Sequence, residues 1–240
     1  MYREDLGVYL TIVSSGRALN VRKMIELVGQ ATWYVGAGES DEYRINGARH
    51  VFEGGGLIES RNMALDHAGQ NDYICVQLSD DLTRLRLWRG KEEKPEPIDF
   101  KKALATVLKA MQRTGFIETR PPVYLGGAAV TDNAFFSSGG IKNEGFILGD
   151  FMVIRPSKIR FDSNLRLKED YDFTLQHLQK FGKVARVESI LPSFAHRKNK
   201  GGAVAYRTSA LEKEAIAYLM KKWPGKLRMN PKRADEVILV

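Results

Sequence analysis

The sequence predicts a single compact α/β domain with a mostly parallel sheet flanked by helices. Three observations carry that prediction: apolar strand-like runs alternate with helical periodicity, one acidic cluster closes an apolar run, and another opens a later helix. Val8-Tyr9-Leu10-Thr11-Ile12-Val13 is an unbroken apolar run, as expected of a strand covered on both faces. A Ser14-Ser15-Gly16-Arg17 turn follows, then Val21, Met24, Ile25 and Val28 recur at helical spacing. Thr32 to Gly36 reads as a second strand. The glycines at 54, 55 and 56 precede a helix beginning near Ile58, and Tyr73 to Leu78 forms a third buried strand ending in Ser79-Asp80-Asp81. Strands alternating with helices place functional residues at the strands' C-terminal ends.

The 88–100 stretch is charged and broken by prolines, so it marks the seam between an N-terminal half (1–88) and a second half (99–205). A helix is expected over 99–113. The Ser, Gly and Asn-rich segment 131–145 reads as a loop whose Phe135 and Phe136 anchor it on the core, the alternative being contact with an acceptor. Apolar residues over 146–154 predict another strand. Lys168-Glu169-Asp170-Tyr171-Asp172 begins a helix with Tyr171, Leu175 and Leu178 on one face. Acids there also have a purely structural explanation, since they complement the helix dipole. Ser209-Ala210-Leu211-Glu212 has the form of a capping box opening the last helix, which ends near Trp223 and leads into a charged tail; 206–240 is thus a C-terminal helix and tail.

With 240 residues, 43% hydrophobic and 28% charged, the chain has enough apolar material for one substantial core. The acidic start Met1-Tyr2-Arg3-Glu4-Asp5 is unlike a signal peptide, and no apolar stretch approaches membrane-spanning length, so a cytoplasmic setting without a membrane partner is expected. The lone Cys75, inside an apolar run, is expected to be a buried structural thiol. The formal net charge of +8, with a pI near 9.5, favours a polyanionic or phosphate-bearing partner.

Adjacent carboxylates at a strand end suit a hard divalent cation held against a diphosphate, since such ions prefer oxygen ligands. Arg61 suits phosphate or sugar oxygens because a guanidinium forks onto them, its structural alternative being an ion pair with Glu59 or Asp66. His196 has the alternative of a structural histidine at a strand end. Thr83-Arg84-Leu85-Arg86-Leu87-Trp88-Arg89 alternates bases with apolar residues, which fits either a nucleic-acid contact or a strand with one solvated face. The basic segment 196–202, with Lys198 and Lys200, is suited to closing over a diphosphate or tracking a nucleic-acid backbone.

Taken in order, these elements resemble the GT-A class of nucleotide-sugar glycosyltransferases, from Val8 to about Gly202. Ser14, Ser15 and Arg17 stand where such enzymes hold the nucleotide base. Glu59-Ser60-Arg61-Asn62-Met63-Ala64-Leu65 looks like the family's Ala-Arg-Asn helix, and Ser79-Asp80-Asp81 stands in the place of the Asp-x-Asp motif with Ser79 as a departure. The resemblance implies a GT-A-like, Rossmann-related fold and a donor site with Ser14, Ser15, Arg17, Arg61, Asn62, Ser79 and Asp80. It implies Mn²⁺ or Mg²⁺ bound by Asp81 and His196, and Asp170 as general base with Glu169 beside it. The compact size, the Lys-Glu-Asp-Tyr-Asp-Phe helix and the His-Arg-Lys-Asn-Lys-Gly-Gly segment are most similar to the TET/JBP-associated glycosyltransferases, chiefly viral enzymes. That similarity implies a UDP-sugar donor and a 5-hydroxymethylpyrimidine acceptor in DNA, in a host-cell cytoplasm; by their charge pattern Arg84, Arg86, Arg89, Lys198 and Lys200 are the residues expected to contact that DNA. The rival readings are transfer to protein, lipid or polysaccharide, and a non-catalytic DNA-binding module. A nucleotidyltransferase is disfavoured by the lack of a Gly-x-Gly-x-Arg phosphate loop after the first strand.

Overall fold

The computed structural model describes residues 7–113, 122–195 and 201–240. The first half runs β1 (Val8–Val13), α1 (Asn20–Val28), β2 (Thr32–Val35), α2 (Ser40–Ile45), β3 (His50–Glu53), α3 (Leu57–Gln70), β4 (Ile74–Ser79), β5 (Leu82–Leu87) and β6 (Glu96–Pro97). The second runs α4 (Phe100–Arg113), β7 (Leu125–Ala128), β8 (Ile141–Lys142), β9 (Phe151–Ile154), α5 (Glu169–Phe181), β10 (Ala185–Val187) and β11 (Ile190–Phe194). It closes with α6 (Ser209–Lys222) and the hairpin β12 (Leu227–Asn230) and β13 (Arg233–Leu239).

Eight strands form one mixed sheet in the order β3-β2-β1-β4-β9-β7-β10-β8. The pairs β2–β3, β1–β2, β1–β4 and β7–β10 are parallel, whereas β9 runs antiparallel to both β4 and β7, and β8 antiparallel to β10. The expected mostly parallel α/β sheet flanked by helices is present, with β9 inserted against the prevailing direction. A three-stranded ribbon, β11-β5-β6, stands apart from it.

Continuous apolar runs mark the interior of the sheet because helices cover both faces. In β4, Ile74 to Leu78 are all buried, and α1 packs Val21, Met24 and Val28 against this layer. Gln77 is the polar exception at 0% exposure; it donates to the Arg61 carbonyl at 2.9 Å and accepts from Arg61 Nη1 at 3.1 Å. A buried amide is tolerated when its hydrogen bonds are made. Cys75 is buried as expected, and burial raises its thiol pKa to about 12.

Several local expectations need correction. α2 and β3 have no counterpart in the sequence reading: the first is a single short stretch and the second lies at the sheet edge with one buried residue. The apolar run 146–154 becomes a strand only from Phe151, because residues 146–150 turn across the end of β4. The last helix is capped by Thr208, whose hydroxyl accepts from the Leu211 amide at 3.2 Å, so Ser209 is its first residue and not its cap. The charged tail is the β12–β13 hairpin. Phe135 and Phe136 do not anchor their loop: they are 85% and 69% exposed and pack edge to face on each other at 5.2 Å. No described helix is long and apolar enough to cross a membrane.

Candidate functional site

The sheet order reverses beside β1. The chain leaves β1 toward β2 and β3, then returns to form β4 on the other side, and open α/β sheets bind ligands outside the strand ends at such a switch point. Register fixes which residues meet there. Val13 pairs with Ser79, so the turns that follow, Ser14 to Arg17 and Ser79 to Asp81, lie side by side. The antiparallel β9 brings its N-terminal end to this same edge: Phe151 pairs with Leu78, and the Ser79 amide donates to the Asp150 carbonyl at 3.0 Å. The N-termini of α3 and α5 complete a cavity of about 1070 Å³.

Asp80, 1% exposed, is built into the wall of this cavity. One carboxylate oxygen accepts from the Ser14 hydroxyl and the other from Arg17 Nη1 at 2.8 Å. Burial raises its pKa, and the Ser14 and Arg17 contacts oppose that rise. Ser14 Oγ also lies 2.6 Å from the Tyr43 hydroxyl, which accepts from the Arg17 amide at 3.1 Å. Glu39 accepts from the Ser15 hydroxyl at 2.9 Å and the Gly16 amide at 3.0 Å, so the turn after β1 is fixed by α2 and the residue just before it. Arg17 Nη2 donates to the Gly201 carbonyl at 2.9 Å and the Gly202 amide to the Ser15 carbonyl at 2.9 Å, docking the segment after β11 on the turn.

Asp81 accepts from the Ser79 hydroxyl at 2.7 Å. It shares the cavity with Asp150, which the sequence reading missed. Burial, then the negative field of Asp81, raises the Asp150 carboxyl to about 7. Among the described residues no three His, Cys, Asp or Glu side chains group closely enough to hold a metal ion. Magnesium-type sites commonly use one or two carboxylates plus substrate phosphates, and Asp81 with Asp150 supplies hard oxygen donors of that kind. His196, Lys198 and Lys200 lie outside the described residues.

Arg61, 7% exposed, crosses the cavity floor. Its Nη2 donates to the Gly149 carbonyl at 3.1 Å, and its Nε lies 3.2 Å from Glu169 Oε1, an ion pair without hydrogen-bond alignment. The pair is with Glu169, not with Glu59 or Asp66; Asp66 is taken by Arg160 at 2.7 Å. Asn62, expected at the donor, exchanges hydrogen bonds with the backbone of Phe161 at 2.8 and 2.9 Å and is absent from the cavity lining. Its amide fixes α3 to the 161 segment, a structural role.

Asp170 lines the same cavity from the first turn of α5, with Oδ2 accepting from the Gly149 amide at 3.1 Å. Burial is the main cause raising its carboxyl to about 7, followed by the neighbouring Glu169; the Gly149 amide and Arg61 pull the other way. Lys168 just before holds a left-handed conformation, φ 61°, with its ammonium 2.7 Å from Glu212 and from the Asp235 carbonyl. Non-glycine residues adopt that conformation only where surrounding contacts impose it, and such strain concentrates at functional sites.

The basic strand is differently placed. Arg84 and Arg86 share Asp132 at 3.4 and 3.7 Å, and Arg89 lies 3.8 Å from Glu93 and 3.1 Å from Glu96. Of the residues singled out from sequence, the cavity gathers Ser14, Ser15, Arg17, Arg61, Ser79, Asp80, Asp81, Glu169 and Asp170, and it does not include Asn62, Arg84, Arg86 or Arg89. The chain matches no protein-family model and no curated protein, so the reading of this α/β switch-point cleft rests on its own geometry.

Proposed function

We propose that this protein is a GT-A-like glycosyltransferase that moves a sugar from a nucleotide-sugar, of the UDP-sugar class, to a hydroxyl of a 5-hydroxymethylpyrimidine in DNA. The observation that carries this reading is the meeting of two distant acidic clusters in one cavity: Asp80 and Asp81 at the end of β4, and Glu169 and Asp170 at the start of α5. The switch-point position and the Rossmann-related strand order support the GT-A assignment.

The chain's residues divide the work. The turn after β1, held by Asp80, Glu39 and Tyr43, receives the nucleoside. The Arg61 guanidinium, anchored on Gln77, Gly149 and Glu169, provides positive charge on the cavity floor. Asp170 takes the proton of the acceptor hydroxyl as that oxygen forms its bond to the anomeric carbon. The bond from that carbon to the diphosphate breaks, and the nucleoside diphosphate departs with the electron pair. Asp81 and Asp150, with His196, would hold a divalent cation, whose chemistry when bound is to offset charge on the diphosphate.

The test is mass spectrometry of 5-hydroxymethylcytosine and 5-hydroxymethyluracil DNA incubated with a panel of nucleotide-sugars and Mn²⁺, with unmodified DNA as control. A mass gain of one sugar on modified DNA alone supports the reading. No transfer to either base, alongside transfer to protein or lipid, removes the DNA acceptor and leaves glycosyl transfer standing.

A further inference from the structure

The cavity does not end at Asp170. Phe146, Tyr171 and Glu236 line both it and a second cavity of about 740 Å³. The second lies between residues 142–146 and the β12–β13 hairpin. Phe146 and Tyr171 stack at 4.1 Å with planes 16° apart, and Tyr171 directly follows the candidate base. The two cavities thus share an aromatic wall beside Asp170.

The hairpin carries two exposed bases, Arg228 and Lys232, next to residues that line the second cavity. Ile238 lines the cavity and is the cross-strand partner of Arg228, and such partners point to the same face of a sheet. Arg228 and Lys232 are exposed, and among the described residues neither has a carboxylate within ion-pair distance. Arg233 lines the main cavity, held by Glu236 at 2.7 Å. The contrast with β5 decides between the two basic surfaces. A phosphate meeting Arg84, Arg86 or Arg89 must compete with Asp132, Glu93 or Glu96. Arg228 and Lys232 are in no such ion pair among the described residues; of the carboxylates lining the second cavity, Glu144 and Glu236, the latter is held by Arg233.

We propose that this second cavity and its hairpin wall are the acceptor site for a polynucleotide. An unstacked base packs on the Phe146–Tyr171 pair with its hydroxymethyl group toward Asp170, and flanking phosphates lie on Arg228 and Lys232. The assignment of Asp170's partner rests on the glycosyl-transfer reading above; the polynucleotide site itself does not need a donor to be tested. A base must leave its stack to enter, so single strands bind more tightly than duplex.

The experiment uses the full chain and a fluorescent single-stranded oligonucleotide containing one 5-hydroxymethylcytosine, with no nucleotide-sugar present. Affinity is measured against salt. Each phosphate of a single strand that the protein ceases to neutralise lowers the log–log slope by about 0.7, so R228A/K232A is expected to lower it by about 1.4. An unchanged slope in R228A/K232A, or a slope that falls only in R84A/R86A, overturns the proposal. Stacking on an aromatic ring is worth on the order of tenfold in affinity or more per base. Tyr171→Leu, and independently Phe146→Leu, is therefore expected to reduce the preference for this oligonucleotide over one with an abasic site at that position by about tenfold. Preference kept in both folded variants overturns the base-stacking assignment. Wild-type protein that binds the oligonucleotide as described but cleaves no UDP-sugar counts against glycosyl transfer and not against the site.

Discussion

The Gly149 amide donates to Asp170 Oδ2 at 3.1 Å while the carbonyl of the same residue accepts from Arg61. One residue's backbone therefore sets the distance between a cation on the cavity floor and the candidate base. An added Cβ on Gly149 would lie 2.7 Å from Arg61 Nη2 and 3.3 Å from Asp170 Oδ2. Gly149→Ala should displace Arg61, and overpacking of this kind typically costs about 1–3 kcal/mol. Thermal melting and nucleotide-sugar calorimetry check it; a variant matching wild type in both would show that Arg61 can move without consequence.

Asp170→Asn should keep the fold and donor binding while the transfer rate falls about 10²–10⁴-fold, the usual worth of a general base. A rate above about a third of wild type assigns proton removal to another group. The wild-type rate should rise with pH through about 7, where the carboxyl becomes ionised, and that limb should be absent in the variant.

The same shift has a stability consequence of opposite sense. A carboxyl whose folded pKa lies above its unfolded value of about 3.9 contributes stability that is complete at low pH and lost as pH rises through the folded value. Asp150 and Asp170 both stand at about 7, so each disfavours the metal-free folded state above that pH. In chelator, Asp150→Asn should raise the melting temperature relative to wild type more at pH 8 than at pH 5. An equal difference at both pH values would mean that burial does not hold this carboxyl neutral.

Much of the cleft was legible because parallel strands leave their C-terminal ends on one edge. Two apolar runs ending in polar turns, at Ser14 and Ser79, were legible as strands, and it is the pairing of β1 with β4 that sets Arg17 beside Asp80. Asp150 escaped because it enters from the start of an antiparallel strand, and within the apolar 146–154 run it reads as strand interior. Direction of pairing is a property of distant residues and leaves no local mark. The hairpin escaped for another reason: Arg228, Lys232, Arg233, Asp235 and Glu236 mask its alternation, and its apolar side is defined by packing on α6. The alternation at Arg84 and Arg86 belongs to strand β5, but the Asp132 that pairs with them lies beyond β7 in the chain and could not be read from it.

Asp80 and Asp81 are adjacent in sequence and should differ in what they do. Asp80 has one oxygen on Ser14 and the other on Arg17, so its loss should act on the turn after β1 whether or not a cation is added. Removing one partner of a buried pair typically costs about 3–5 kcal/mol when fully buried; the Arg17 side chain is 11% exposed and also donates to the Gly201 carbonyl, so the lower part of that range is expected for Asp80→Ala. Asp81 takes the Ser79 hydroxyl and lines the same cavity as Asp150. Asp81→Ala should therefore abolish the gain in UDP affinity produced by Mn²⁺ and leave the Mn²⁺-free affinity close to wild type. Calorimetry of UDP binding with Mn²⁺ and with chelator separates the two. If Asp80→Ala lowered only the Mn²⁺-dependent component, as Asp81→Ala is expected to, Asp80 would be a cation ligand and its contacts with Ser14 and Arg17 would describe the cation-free state alone.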